Sequence, residues 1–134
     1  AALGLSQLQQ LPEFLSRRRF WAQWYEKHLG GRLEFVDQRQ RGLSSYHLFC
    51  VLLPEASDKS RIFEGMRAQG IGVQKHYIPI PNQPYFQQKY GYEAQQWPNA
   101  QSFYQRVMAL PLFVDLEESQ AQHSLDCLFS LCES

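Results

Sequence analysis

Apolar residues recur at three- and four-residue steps through residues 4 to 29, at Leu8, Leu11, Leu15, Ala22, Tyr25 and Leu29. This spacing predicts a first helix with a buried stripe. Pro12 removes one backbone donor inside it, so a kink or a restart is expected there. Gly30-Gly31 closes the helix. Leu33 and Phe35 alternate with Arg32 and Glu34, the signature of a short strand over 32 to 37. After a polar loop from Gln38 to Ser44, residues 45 to 53 are rich in Tyr, Phe, Val and Leu and read as a well-buried strand stopped by Pro54.

Ser57 or Asp58 can cap a helix running to about Gln69, with Ile62, Phe63 and Met66 inward and Gly70 at its end. A strand from Ile71 to Tyr77 follows. Three prolines within residues 79 to 84 exclude both strand interior and helix. Tyr85 to Tyr90 form a helical turn ended by Gly91, and Pro98 opens a helix through about Met108. Leu110-Pro111-Leu112-Phe113 is a short extended piece, and Glu117 and Glu118 favour the start of a last helix through Leu131. The order α-β-β-α-β-α-β-α without internal repeat predicts an α+β layer, a small and mainly antiparallel sheet with helices packed on it. The helix between strands 45–53 and 71–77 is equally compatible with a parallel crossover.

Composition narrows the function. One chain of 134 residues is the length of one domain, 1–134, and can bury a core. Thirteen basic residues balance thirteen acidic ones, so no global field recruits nucleic acid or anionic membrane. Arg17-Arg18-Arg19, the only basic cluster of note, reads as a solvated face. No apolar run approaches the roughly 20 residues of a membrane span. Three cysteines are an odd number, and Cys127 and Cys132 lie about 140° apart on a helix, which suits a reducing cytoplasm better than a disulfide. His28, His47, His76 and His123 lack ligand spacing, so no metal site is expected. The chain starts at Ala1 with no initiator Met and no leader pattern, and Leu3, Leu5, Leu8 and Leu11 read as already committed to a core. It reads as cut from something longer.

Known catalytic signatures are missing: no dinucleotide or phosphate loop, no nucleophile elbow, no zinc-protease helix. Candidate chemistry gathers in 74–86, where a strand runs into a rigid aromatic loop carrying Gln74, Lys75, His76, Tyr77, Pro79 and Gln83. Polar loops of this kind carry function more often than packing. Strand alternation sends Lys75 and Tyr77 to one side and His76 to the other. On the residues alone, His76 reads first as a half-buried strand-end histidine bonded to backbone, with ligand contact as the alternative. His47, between Tyr46 and Leu48, reads as a satisfied core histidine. Tyr85, Phe86, Tyr90 and Tyr92 read as loop packing, with a stacking platform for a planar or sugar ligand as the alternative.

Several pieces in order change these odds: 1–8 (AALGLSQL), Arg17-Arg18-Arg19, Tyr25 with Leu29, Ser45-Tyr46-His47-Leu48-Phe49, Gly70-Ile71 leading to His76-Tyr77-Ile78-Pro79, and Leu110-Pro111-Leu112-Phe113. Together they resemble the C-terminal portion of the DegT/DnrJ/EryC1/StrS aminotransferases, pyridoxal-phosphate sugar aminotransferases of fold type I. The form of 74–80 with Gln83-Pro84-Tyr85-Phe86 looks nearest to the branch that aminates a UDP-linked 4-keto-6-deoxy sugar towards pseudaminic acid. The resemblance implies the small C-terminal domain of a cytoplasmic, homodimeric enzyme. The pyridoxal phosphate and its Schiff-base lysine would lie in a separate N-terminal domain. None of Lys27, Lys59, Lys75 or Lys89 sits in a matching motif. The implied substrates are the UDP-linked keto sugar and L-glutamate. Gln74, Lys75, His76 and Tyr77 would face the sugar nucleotide, with Pro79 and Gln83 shaping the rim; no catalytic residue and no cofactor are expected in this chain. A stand-alone ligand-binding or dimerisation module is the alternative.

Overall fold

The computed structural model describes residues 2–38 and 44–133. Helix α1, Ala2–Leu29, runs unbroken through Pro12. The turns around Pro12 are solvent-exposed, so the carbonyl deprived of its partner there is hydrated instead and no break is enforced. Only the second half of α1 packs: Trp21, Ala22, Trp24, Tyr25 and Leu29 are buried. Leu3, Leu5 and Leu8 remain 77%, 62% and 63% exposed, so these leucines, expected in a core, lie in water instead.

Four strands form one sheet in the order β1-β2-β4-β3, with β1 at Glu34–Phe35, β2 at Phe49–Leu52, β3 at Gln74–Lys75 and β4 at Val107–Leu110. Every pairing is antiparallel. Because β4 lies between β2 and β3 and opposes both, those two strands are parallel to each other without touching. The helix joining them, α2 (Lys59–Ala68), is therefore a crossover that leaves room for a later strand. Both readings left open by the sequence hold in part. The fold is α+β, as predicted.

The central strand departs from expectation. The helix opened by Pro98 ends at Arg106 (α4, Pro98–Arg106), and Val107 starts β4 rather than a last helical turn. All four β4 residues are buried. A continuous apolar run with no alternation marks a strand covered on both faces, and such a run cannot be told from a helix end by periodicity. Pairing with both neighbours decides it. Conversely, the strand predicted over 71–77 pairs only at Gln74 and Lys75, although Ile71 and Val73 are buried.

Alternation along β2 sorts the sheet into two faces. Phe49, Val51 and Leu53 are buried in the main core with Met108 and Leu110, under Ile62 and Met66 of α2 and Ala121, Leu125 and Leu128 of α5 (Glu118–Glu133). Asp58 caps α2, its carboxylate accepting from the N–H groups of Ser60 and Arg61. Gly70 then turns the chain at φ +77°, a conformation that glycine adopts without strain. The three cysteines are free and half-buried, and burial pushes each thiol up.

Tyr25 fastens α1 to the sheet. Its ring stacks on Phe49 at 5.1 Å and its hydroxyl donates to the Pro111 carbonyl at 2.9 Å. Burial drives its phenol far above the usual range, against a smaller opposing effect of Ser124, so it stays a neutral donor. Tyr25→Phe should cost about 1–2 kcal/mol through the carbonyl left without its donor, and Tyr25→Ala about 3–5 kcal/mol. Urea denaturation of the three proteins checks this.

Candidate functional site

Beyond β3 the prolines keep the chain out of a strand, but they do not exclude helix as expected, because a proline is tolerated in a first helical turn. Ile80–Asn82 is a single 3₁₀ turn, and Pro84 occupies the first turn of helix α3, Pro84–Tyr90, which Gly91 ends at φ +67°. Asn82 and Gln101 exchange two amide hydrogen bonds of 2.8 and 2.7 Å, tying the turn to α4. Phe86, Tyr90 and Tyr92 stack in sequence at 6.1 and 5.5 Å, with Tyr85 and Trp97 edge-on at either end. The rings thus pack on one another, yet Tyr85 and Tyr90 stay more than half exposed. Ile78, Ile80 and Gln83 are exposed and Pro79 is half-buried.

The six predicted site residues do not surround one cavity. Gln74 faces Ala109 across the ladder and Lys75 faces Met108, so they leave opposite sides of the sheet. Gln74 lines a cavity of about 360 Å³. Lys75 lines another, about 350 Å³, where its ammonium meets Ser60 Oγ at 3.3 Å and lies 4.4 Å from the centre of the Phe63 ring. Tyr77 is presented to solvent. His76, 7% exposed, is more buried than the sequence suggested, and both ring nitrogens lack a hydrogen-bond partner among the described residues. The expected backbone bond is absent. Burial first, then the positive charges of Lys59 and His47, hold its pKa below the ordinary histidine value.

Two residues that sequence reasoning placed elsewhere complete the first cavity. His47 is exposed rather than a core histidine. It follows Tyr46, whose φ of +44° turns the chain out of line before β2 begins. The arginine triplet is not a solvated face. Arg17 Nε donates to the Val114 carbonyl and Arg19 Nε to the Ser44 carbonyl, each at 3.1 Å. Arg18 lies between them, lining the cavity with His47 and Gln74 against the segment from Leu110 to Phe113. The clue available in sequence was spacing: Arg18 precedes the buried Tyr25 by seven residues, about two helical turns, and so shares its face.

No lysine of the chain is set to carry a carbonyl cofactor. Lys59 donates to the Tyr104 carbonyl at 2.5 Å, Lys89 to the Tyr85 hydroxyl at 2.9 Å, and Lys75 is held at Ser60. Asp58, the carboxylate beside Lys59, is engaged as a helix cap. Lys27 is exposed on α1. These residues do not fit a site for pyridoxal phosphate, which needs a free amine, a carboxylate for the ring nitrogen and a phosphate cradle together. Among the described residues no group of His, Cys, Asp and Glu could hold a metal, and no helix is long and apolar enough to cross a membrane.

Residues 1–129 match the DegT/DnrJ/EryC1/StrS aminotransferase family. The chain belongs to that family. A UDP-4-amino-4,6-dideoxy-N-acetyl-beta-L-altrosamine transaminase of Campylobacter jejuni is 32% identical over 136 residues, 98% of this chain and 36% of that protein. The spore coat polysaccharide biosynthesis protein SpsC of Bacillus subtilis is 26% identical, over 96% of this chain and 34% of its own length. Among solved structures, Helicobacter pylori PseC, an aminotransferase involved in the biosynthesis of pseudoaminic acid, superposes with a TM-score of 0.86 at 27% identity, covering 98% of this chain and 36% of PseC. The PLP form of Spr1654 from Streptococcus pneumoniae gives 0.88 at 26% identity, over 98% and 34%. The chain spans about a third of the length of the relatives it matches.

His76 gives the site a pH signature. Its folded-state pKa lies below the unfolded value, so protonation favours the unfolded chain. Stability should be whole above the unfolded histidine pKa of about 6.5 and fall as pH drops through it towards the folded value. Urea midpoints measured from pH 7.5 to 5 should show this decline, and His76→Leu should flatten it.

Proposed function

We propose that this chain is the C-terminal small domain of a nucleotide-sugar aminotransferase, working with its own N-terminal domain in a cytoplasmic homodimer. That N-terminal domain would hold the pyridoxal phosphate and the lysine that bonds to it. The reaction would move the amino group of L-glutamate to a UDP-linked 4-keto-6-deoxy-N-acetylhexosamine. The observation carrying this reading is a match along the whole chain, with the same fold, to proteins about three times as long. The exposure of Leu3, Leu5 and Leu8 on α1 supports it, since several large apolar side chains left in water at one end of a helix suit burial against another domain.

In this reading the small domain binds and orients. Gln74, on the cavity side of β3, offers both a donor and an acceptor to a sugar hydroxyl or amide. Tyr77 projects from the loop as a second hydrogen-bonding group, and Pro79 with Gln83 sets the rim. Lys75 approaches a phosphate only from the other side of the sheet edge. His76 lies beneath them and fixes the loop's position. The proline turn and its Asn82–Gln101 clamp hold these groups with little entropy left to lose on binding.

Two outcomes test the division of labour. Borohydride reduction of the 134-residue chain with pyridoxal phosphate should leave no stoichiometric pyridoxyl-lysine at a single position; one such adduct, located by mass spectrometry, would reverse the assignment. In the two-domain enzyme, Gln74→Ala should raise the KM for the nucleotide sugar about 2- to 12-fold and leave that for glutamate nearly unchanged, the effect of losing one neutral hydrogen bond. Steady-state kinetics with each substrate varied in turn measures the split.

A further inference from the structure

We infer that the cavity under Arg18 is a binding site for a small oxyanion, a carboxylate or a phosphate group. This is the cavity that Gln74 also lines, so the inference adds an anionic group to the ligand proposed there; it is carried by Arg18 and holds or fails on anion binding, separately from the aminotransferase reading.

Three neighbouring arginines on α1 set up the contrast. Arg17 and Arg19 are committed to carbonyl groups far along the chain. Arg18 makes no hydrogen bond or ion pair with any described residue, and its Nε is buried without a partner. A guanidinium cannot shed its charge, and with Nε buried and unpaired the group depends on its other N–H donors, and on an acceptor brought into the cavity that Arg18 lines, for compensation. The cavity that Arg18 lines is built to receive one. His47 and Gln74 contribute further donors, and no Asp or Glu lies among the described residues lining it. The second cavity differs in kind, because there Lys59 and Lys75 share the walls with Glu55 and Asp58. Of the two, only the Arg18 cavity carries an uncompensated positive charge.

Size and access suit the same ligand. About 360 Å³ is ample for a phosphate or carboxylate head with part of the body attached. Ala109, Leu112 and Phe113 add apolar residues to the lining around these donors. Gly72 lines the opposite edge, between the buried Ile71 and Val73, and a Cβ built there meets no atom within 4 Å. The opening beside Gly72 is therefore free.

The test is an NMR titration of the chain, at constant ionic strength, with inorganic phosphate, pyrophosphate and L-glutamate, followed at the Arg18 Nε–H and the His47 ring. Saturable movement of both signals together is expected. Saturation by phosphate or pyrophosphate alone assigns a phosphate ligand, and saturation by glutamate alone assigns a carboxylate. Arg18→Gln should weaken binding about 10-fold or more, the loss of a charge-assisted contact, without moving the urea midpoint, since Arg18 has no partner to lose among the described residues. Gly72→Leu, which keeps every charge and fills the opening, should abolish binding; it decides the matter should Arg18→Gln fold poorly. Silence of both signals with all three anions overturns the site. So does equal movement of Lys27 and Lys89, which would mark general screening, or binding that survives Gly72→Leu.

Discussion

Tyr25 is the point on which the rest of the arrangement turns. A long helix with half its length in water needs a strong local anchor, and this one is made at two places at once. The ring stacks on Phe49 of β2, while the hydroxyl reaches the carbonyl of Pro111, just past the end of β4. One side chain therefore fixes the helix against two adjacent strands. Trp21, Trp24 and Leu29 extend the contact, and the Trp24 indole reaches Glu118 at the start of α5. Helical pitch then carries the anchor's effect to the cavity. Two turns before Tyr25, Arg18 is delivered to the segment Leu110 to Phe113 with its Nε unpaired among the described residues.

The sheet supplies the second constraint. Successive residues of a strand leave opposite faces, so a polar cluster contiguous in sequence is divided in space. Gln74 and Lys75 separate, each into its own cavity, and the electrostatics separate with them. Lysine meets carboxylate, hydroxyl and aromatic ring on the α2 side. Arginine and histidine meet only amide and apolar surface on the other. The contrast gives the fold one side already satisfied and one side that calls for a ligand.

Between the two lies a segment in which stiffness and polarity coincide. The prolines, the paired amides of Asn82 and Gln101, and the stacked rings from Tyr85 to Trp97 hold the excursion between β3 and α4 without help from the main core. His76 sits at its root, buried, neutral and without hydrogen bonds. Such a residue is a packing element whose ionisation strains the loop above it. That explains why a histidine flanked by lysine and tyrosine is less available to solvent than either neighbour.

The residues alone determined the α+β class, a helix cap at Ser57 or Asp58 and a stop at Gly70, the proline-enforced turn, a helical turn over 85–90 ended by Gly91, and the order of family-like segments along the chain. Each of the structural features follows from local physics: backbone restriction, capping and periodicity act within a few residues and are legible in any short window. The path from Arg106 into β4 was not legible, because an apolar run buried on both faces has no period to distinguish it from a helix end. Nor were the exposure of His47 or the separation of Gln74 from Lys75 into different cavities. Arg18 was hidden most completely, since consecutive arginines look alike until distant carbonyls claim two of them. Those outcomes depend on which distant segment lies opposite, and only the packed fold sets that.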